Sequence, residues 1–76
     1  MYIPVRDDEL DKRLADYINN HPQPKRLRML FIREQAGIYL FGSRRVNIKN
    51  DSNGLLKVRV GGGWASIDDF LDLYTK

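Results

Sequence analysis

Few side chains in this 76-residue chain could do covalent or acid–base chemistry, and their spacing narrows the choice further. The chain has one histidine, His21, and no cysteine. A lone histidine in the loop Asn20-His21-Pro22 has no second ligand at metal-binding spacing and no thiol to activate. No serine sits in a G-x-S-x-G elbow, and no thiolate nucleophile is available. The adjacent carboxylates Asp7-Asp8 and Asp68-Asp69 stand where two helices should begin, and there they serve the helix dipole and the caps rather than proton transfer. The remaining chemistry is electrostatic. Residues 25–63 hold nine bases (Lys25, Arg26, Arg28, Arg33, Arg44, Arg45, Lys49, Lys57 and Arg59) against Glu34 and Asp51, while residues 1–24 and 64–76 are slightly acidic. So uneven a distribution suits an anionic partner. The expectation is a binding module, not an enzyme, with neither a cofactor nor a metal.

The elements that must position these charges can be read in order. Asp7 is a candidate N-cap with acids in the first turn, and Leu10, Leu14, Tyr17 and Ile18 recur at helical spacing, which predicts an amphipathic helix over 7–20. Asn19-Asn20-His21-Pro22-Gln23-Pro24 stops it, because proline cannot continue the hydrogen-bond ladder. Leu27 to Glu34 reads as a strand and Ile38 to Phe41 as a second, joined by a short glycine-containing loop. The first carries apolar residues on both faces (Leu27, Met29 and Phe31 against Leu30 and Ile32), which predicts a central position. At the far end Ser66 should cap a last helix, with Asp69 completing an S-x-x-D box and Ile67, Phe70, Leu71 and Tyr74 as its buried stripe.

Between these lies the clearest pair of strands. Val46 and Ile48 alternate with Arg45, Asn47 and Lys49, and Leu56, Val58 and Val60 alternate with Leu55, Lys57 and Arg59. The intervening Asn50-Asp51-Ser52-Asn53-Gly54 is dense turn chemistry. A hairpin with one apolar and one basic face follows. A five-residue loop sets Val46 opposite Val58, Ile48 opposite Leu56, Arg45 opposite Arg59 and Asn47 opposite Lys57. Two facing arginines repel, which favours an external anion, although long arginines can also splay into solvent.

The strand then runs into Val58-Arg59-Val60-Gly61-Gly62-Gly63-Trp64. Three glycines permit positive φ or a close approach, and Trp64, the only tryptophan, is expected to fold back over them and plug one end of the core. The run is neither G-x-x-x-x-G-K-[ST] nor G-x-G-x-x-G, and Asp68 and Asp69 occupy the place of an anion, so a packing turn is preferred to a phosphate cradle. This V-R-V-G-G-G-W, followed by Ile67-Asp68-Asp69-Phe70-Leu71, resembles the signature of the growth-arrest-specific protein 2 related (GAR) domain. Tyr39-Leu40-Phe41-Gly42 is similar to that family's Y-x-F-G, and Asp7-Asp8-Glu9-Leu10-Asp11 to its opening helix, so the resemblance covers nearly the whole chain. It implies a small α/β domain that binds microtubules, as in spectraplakins and the growth-arrest-specific protein 2 family, often near actin-binding modules. Many relatives resemble zinc-binding modules with cysteines after the first helix and after the last. Here those neighbourhoods read Asn19-Asn20-His21 and Leu73-Tyr74-Thr75-Lys76, so zinc is not expected.

Taken together, the expected fold is α+β: one domain over 1–76, with a small antiparallel sheet of about four strands between an N-terminal and a C-terminal helix. At this length the core is modest. The absence of cysteine fits a reducing compartment, no apolar run is long enough to span a membrane, and Met1-Tyr2-Ile3-Pro4 lacks the pattern of a signal peptide. A cytoplasmic, cytoskeletal location is expected. The expected microtubule-binding residues are Arg44, Arg45, Lys49, Lys57 and Arg59, with Lys25, Arg26 and Arg28 as a second basic cluster. Two other readings stand beside this one. A docking or self-association module in a cytoskeletal scaffold would show an apolar patch around Tyr39, Leu55 and Trp64. Single-stranded nucleic-acid binding is disfavoured because Tyr39 and Phe41 do not clearly share a face with the arginines.

Overall fold

The structure, a computed structural model, describes residues 1–75; Lys76, the one base of the acidic C-terminal flank, lies outside them. The first helix, α1, runs Glu9–Asn19. Asp8 rather than Asp7 is its N-cap, because the Asp8 carboxylate accepts from the Asp11 N–H at 3.1 Å. Its buried face is Asp11, Leu14, Ala15 and Ile18, with Leu10 and Tyr17 packed at the margins. The stripe is thus rotated from the one expected, and its first member is an acid.

That acid is accommodated by donors. Asp11 Oδ1 accepts from the Tyr2 hydroxyl at 2.5 Å and the Tyr39 hydroxyl at 2.7 Å, and Oδ2 accepts from the Val5 N–H at 2.7 Å. A buried carboxylate is tolerable only when it is hydrogen-bonded in this way. Asn19 holds the same N-terminal segment, accepting from the Tyr2 N–H and donating to its carbonyl. Asp8 in turn pairs with Arg33 at 3.0 Å. Burial pushes the Asp8 carboxyl up, but the Asp11 N–H and the Arg33 guanidinium outweigh it and hold Asp8 below its ordinary value.

A second helix, α2, spans Pro24–Leu30, where a strand beginning at Leu27 was expected. Proline is favoured at a helix start, and Lys25, Arg26, Leu27, Arg28, Met29 and Leu30 are all unbranched at Cβ and form helix well, whereas the first β-branched residue is Ile32. Its two apolar faces are those of a short helix lying on the core: Leu27 is buried and Met29 is exposed. The strand proper, β1, is only Phe31–Gln35.

The sheet continues through β2 (Ile38–Phe41), β3 (Arg44–Asn50), β4 (Leu56–Val60) and β5 (Gly63–Ser66), in the order β1-β2-β3-β4-β5, each neighbour antiparallel. There are five strands rather than about four, and β1 is at an edge rather than central. The added strand is the segment expected to be a turn over Trp64. Val60 pairs with Gly63, so Gly61-Gly62 is a two-residue hairpin turn with Gly61 at φ +51°. A side chain at Gly61, Gly62 or Gly63 would meet nothing within 4 Å, so the space over these glycines is open and no ring is folded onto them. Only the conformation of Gly61 calls for glycine.

The last helix, α3, spans Ile67–Tyr74 and is capped as expected, with Ser66 Oγ accepting from the Asp69 N–H at 3.1 Å. Ile67, Phe70 and Leu71 are buried, while Tyr74 is partly exposed against the Phe70 ring. The buried residues of all three helices join Phe31, Tyr39, Phe41, Val46, Ile48, Leu56 and Val58 in one core. Since these strand residues share one face, all three helices cover that face and leave the other open.

Candidate functional site

The open face can be built from register. Ile32, Leu40 and Arg45 lie abreast on β1, β2 and β3, because Ile32 pairs with Leu40 and Leu40 with Arg45. Ile38 pairs with Asn47 in the next row. Farther along, Lys49 pairs with Lys57 and Lys57 with Ser66, while Arg59 pairs with Trp64. Paired residues in an antiparallel sheet point to the same side, so these residues form one surface. Its β1–β2 half is apolar apart from Glu34, which pairs with Arg45; its β3–β4 half is basic.

The register of β3 against β4 differs by two residues from the one expected. Ile48 pairs with Val58 and Asn50 with Leu56, so Arg59 is not opposite Arg45, whose partner on the other side of β3 is Leu40. The cause is the turn: the Asp51 carboxylate accepts from the N–H groups of Asn53 and Leu55, and Gly54 takes φ +78°, which closes the loop after Asn50. The shift is even, so each side chain keeps its face. The like-charged pair across the strands is Lys49–Lys57, and Asp51 lies 3.9 Å from Lys57. The Leu55 N–H above all, with the two lysines adding, holds the Asp51 carboxyl below its ordinary value against some burial.

Trp64 is the principal correction. It is 37 % exposed and sits on the basic face instead of plugging the core. Lys49 Nζ lies 4.4 Å from the ring centroid and Arg59 Cζ 5.6 Å from it, so two cations lie against one indole. Cation–π contacts at such sites are worth about 0.5–1 kcal/mol each and keep both charges in place without neutralising them. Among the described residues neither Lys49 nor Arg59 has a carboxylate partner. Arg45 differs, because its guanidinium makes a two-pronged pair with Glu34 at 2.6 and 3.3 Å. Alternation could have located Trp64. If Gly61-Gly62 is a two-residue turn, Trp64 must fall opposite Arg59.

The other expected site residues divide. Arg44 pairs with Phe41 on the helix-covered side and stacks on Tyr74 at 4.7 Å, apart from Arg45, Lys49, Lys57 and Arg59. Lys25, Arg26 and Arg28 belong to α2, where Arg26 donates to the Thr75 carbonyl at 3.0 Å. Tyr39 and Phe41 are buried, so neither a stacking platform nor an apolar patch includes them. A groove of about 370 Å³ lies between α1, the β3–β4 turn and the start of α3. Two pairs of its polar groups bond each other: Arg13 donates to the Gly54 carbonyl and the Tyr17 hydroxyl to Asp68 at 2.5 Å.

A structural zinc site needs about four nitrogen, oxygen or sulfur ligands brought together. Among the described residues no three His, Cys, Asp or Glu side chains come together where they could hold an ion. His21 Nδ1 accepts from the Gln23 N–H. The ends of α1 and α3 are instead tied by Asn19 to Tyr2 and by Arg26 to Thr75. The donor set does not fit the metal.

No curated protein and no solved structure matches the chain. Residues 7–75 match the family described as Growth-Arrest-Specific Protein 2 Domain, a span that takes in all three helices and all five strands. Such a match is consistent with a cytoskeleton-associated binding module. Matched over nearly its whole length, the chain belongs to the growth-arrest-specific protein 2 domain family.

Proposed function

We propose that this chain is a microtubule-binding module that attaches through the basic half of its open sheet face. The observation that carries the reading is the cluster of Lys49, Arg59 and Trp64, in which two cations without a carboxylate partner among the described residues lie against an exposed indole. Arg45 and Lys57 flank it, each with an acid of its own. A partner with an acidic surface gains charge pairs there without breaking an internal ion pair of Lys49 or Arg59. Arg44 and the α2 bases Lys25, Arg26 and Arg28 offer secondary contacts on other sides of the molecule. Tubulin, whose surface is acidic, is the partner that family membership favours, and the setting is the cytoplasmic cytoskeleton. No helix among the described residues is long and apolar enough to cross a membrane.

The test is co-sedimentation of the purified chain with stabilised microtubules at low and raised salt, with single-stranded RNA as competitor. Binding through exposed cations should weaken as the screening length falls from roughly 10 Å at 0.1 M salt toward 3 Å at 1 M. Salt-sensitive pelleting that RNA does not displace supports the reading. No pelleting at low salt overturns it.

A further inference from the structure

The basic residues occupy only part of the open face. On the same surface Ile32 is 53 % exposed, and Ile38 and Leu40 are half-buried, with Leu40 set between Ile32 and Arg45 in one cross-strand row. A partner that used charge alone would leave this apolar strip in water. The other face of the sheet shows what an apolar sheet surface ordinarily takes, since three helices cover it.

We infer that the open face receives an acidic amphipathic α-helix of the partner, laid across the strands from β1 to β5. This rests on the reading just given and states the form of the surface that the site would recognise. Five strands about 4.8 Å apart span roughly 19 Å from first to last. At 1.5 Å per residue that is a helix of about 13 residues. Its apolar positions, three or four residues apart, would lie on Ile32 and Leu40 at one end and on the Trp64 ring at the other. Carboxylates beside that stripe would meet Lys49 and Arg59. A disordered polyanion could satisfy the two cations but has nothing to place on Ile32. The apolar strip therefore discriminates between an ordered acidic helix and an unstructured acidic chain.

The test compares four proteins, namely the parent, Ile32→Ser, Met29→Ser and the double variant Lys49→Glu/Arg59→Glu. Each is measured for microtubule co-sedimentation and for binding of poly-L-glutamate, read from Trp64 fluorescence. Ile32 is exposed enough for serine to leave the core intact, and Met29 is a similarly exposed apolar residue off this face. Ile32→Ser should weaken microtubule binding roughly fivefold, as expected for losing the burial of one half-exposed aliphatic side chain. It should leave poly-L-glutamate binding unchanged, which also reports that the charged surface is intact. Met29→Ser should match the parent in both assays. If Ile32→Ser binds microtubules as the parent does while the charge reversal abolishes binding, the helix inference is overturned and the microtubule reading stands. If the charge reversal has no effect on microtubule binding, the reading itself fails and the inference with it.

Discussion

At the scale of single residues, two side chains exchange the roles that their types suggest. Trp64, the largest apolar side chain, is a surface residue, and Asp11, an acid, is in the core at 1 % exposure. Truncating Trp64 should therefore do little to the fold and much to binding. For Trp64→Ala we expect a loss of about 1 kcal/mol or less in stability, well short of the 3–5 kcal/mol of a buried aromatic, and a drop in microtubule affinity of about tenfold or more. Thermal melts by circular dichroism and co-sedimentation check the two halves. Asp11→Ala should behave in the opposite way. It leaves two tyrosine hydroxyls and the Val5 N–H without an acceptor, at a cost of about 3 kcal/mol or more, and chemical denaturation should show it. Asp11→Asn keeps an oxygen for the tyrosines and should be intermediate. Burial first, and the Asp11 carboxylate second, push the Tyr2 and Tyr39 phenols well above their ordinary value; burial and Asp68 do the same to Tyr17. A raised tyrosine pKa means that the folded chain keeps protons that the unfolded chain releases. Stability should accordingly fall as pH rises past about 10. In acid the sign reverses. Asp8 and Asp51, held low, contribute stability that is present above about pH 4 and lost as pH falls through their lowered values. Melting temperatures measured across this range would contradict the account if they stayed flat above pH 10.

At the scale of elements, the hairpins decide where the charges stand. The Gly61-Gly62 turn brings β5 beside β4 and sets Trp64 opposite Arg59. Gly61→Ala forces a side chain into positive φ and should cost about 1 kcal/mol, whereas Gly62→Ala and Gly63→Ala meet open space and should be nearly neutral. The melting temperatures of the three variants check this. The hairpin of β3 and β4, both helices at the ends and the Ser66 cap were legible because strict alternation, helical spacing and turn residues agree there. Besides the added strand β5, three features were not. The α2 segment mixes apolar residues on both sides, and periodicity over seven residues does not separate a short helix from a strand; only Pro24 and the unbranched run Lys25–Leu30 favoured the helix. The β3–β4 register depended on Asp51 closing its own turn by side-chain hydrogen bonds, which loop length alone does not reveal. The burial of Asp11 required donors from Tyr2, Val5 and Tyr39, two of them on a segment with no periodicity of its own. Of the candidate site, the basic face was readable from alternation, but its centre was not, because a large indole reads as core until its strand partner is known.

At the scale of the whole molecule, a sheet covered by helices on one side and open on the other sets the core apart from the proposed binding surface. The covered side holds the core, the Asp11 network and Arg44; the open side holds Arg45, Lys49, Lys57, Arg59 and Trp64 beside an apolar strip. Substitutions on the open side should thus change affinity with little change in melting temperature. The ends of α1 and α3 are held by Asn19 and Arg26, and a strong chelator should leave the melting temperature unmoved. The measurement that tests the central claim most directly is the microtubule dissociation constant of Lys49→Glu/Arg59→Glu at low salt, set beside that of the parent under matched circular dichroism spectra. A folded double variant that no longer pellets with microtubules is the result predicted. A folded double variant that binds as the parent does would contradict the assignment of the open sheet face.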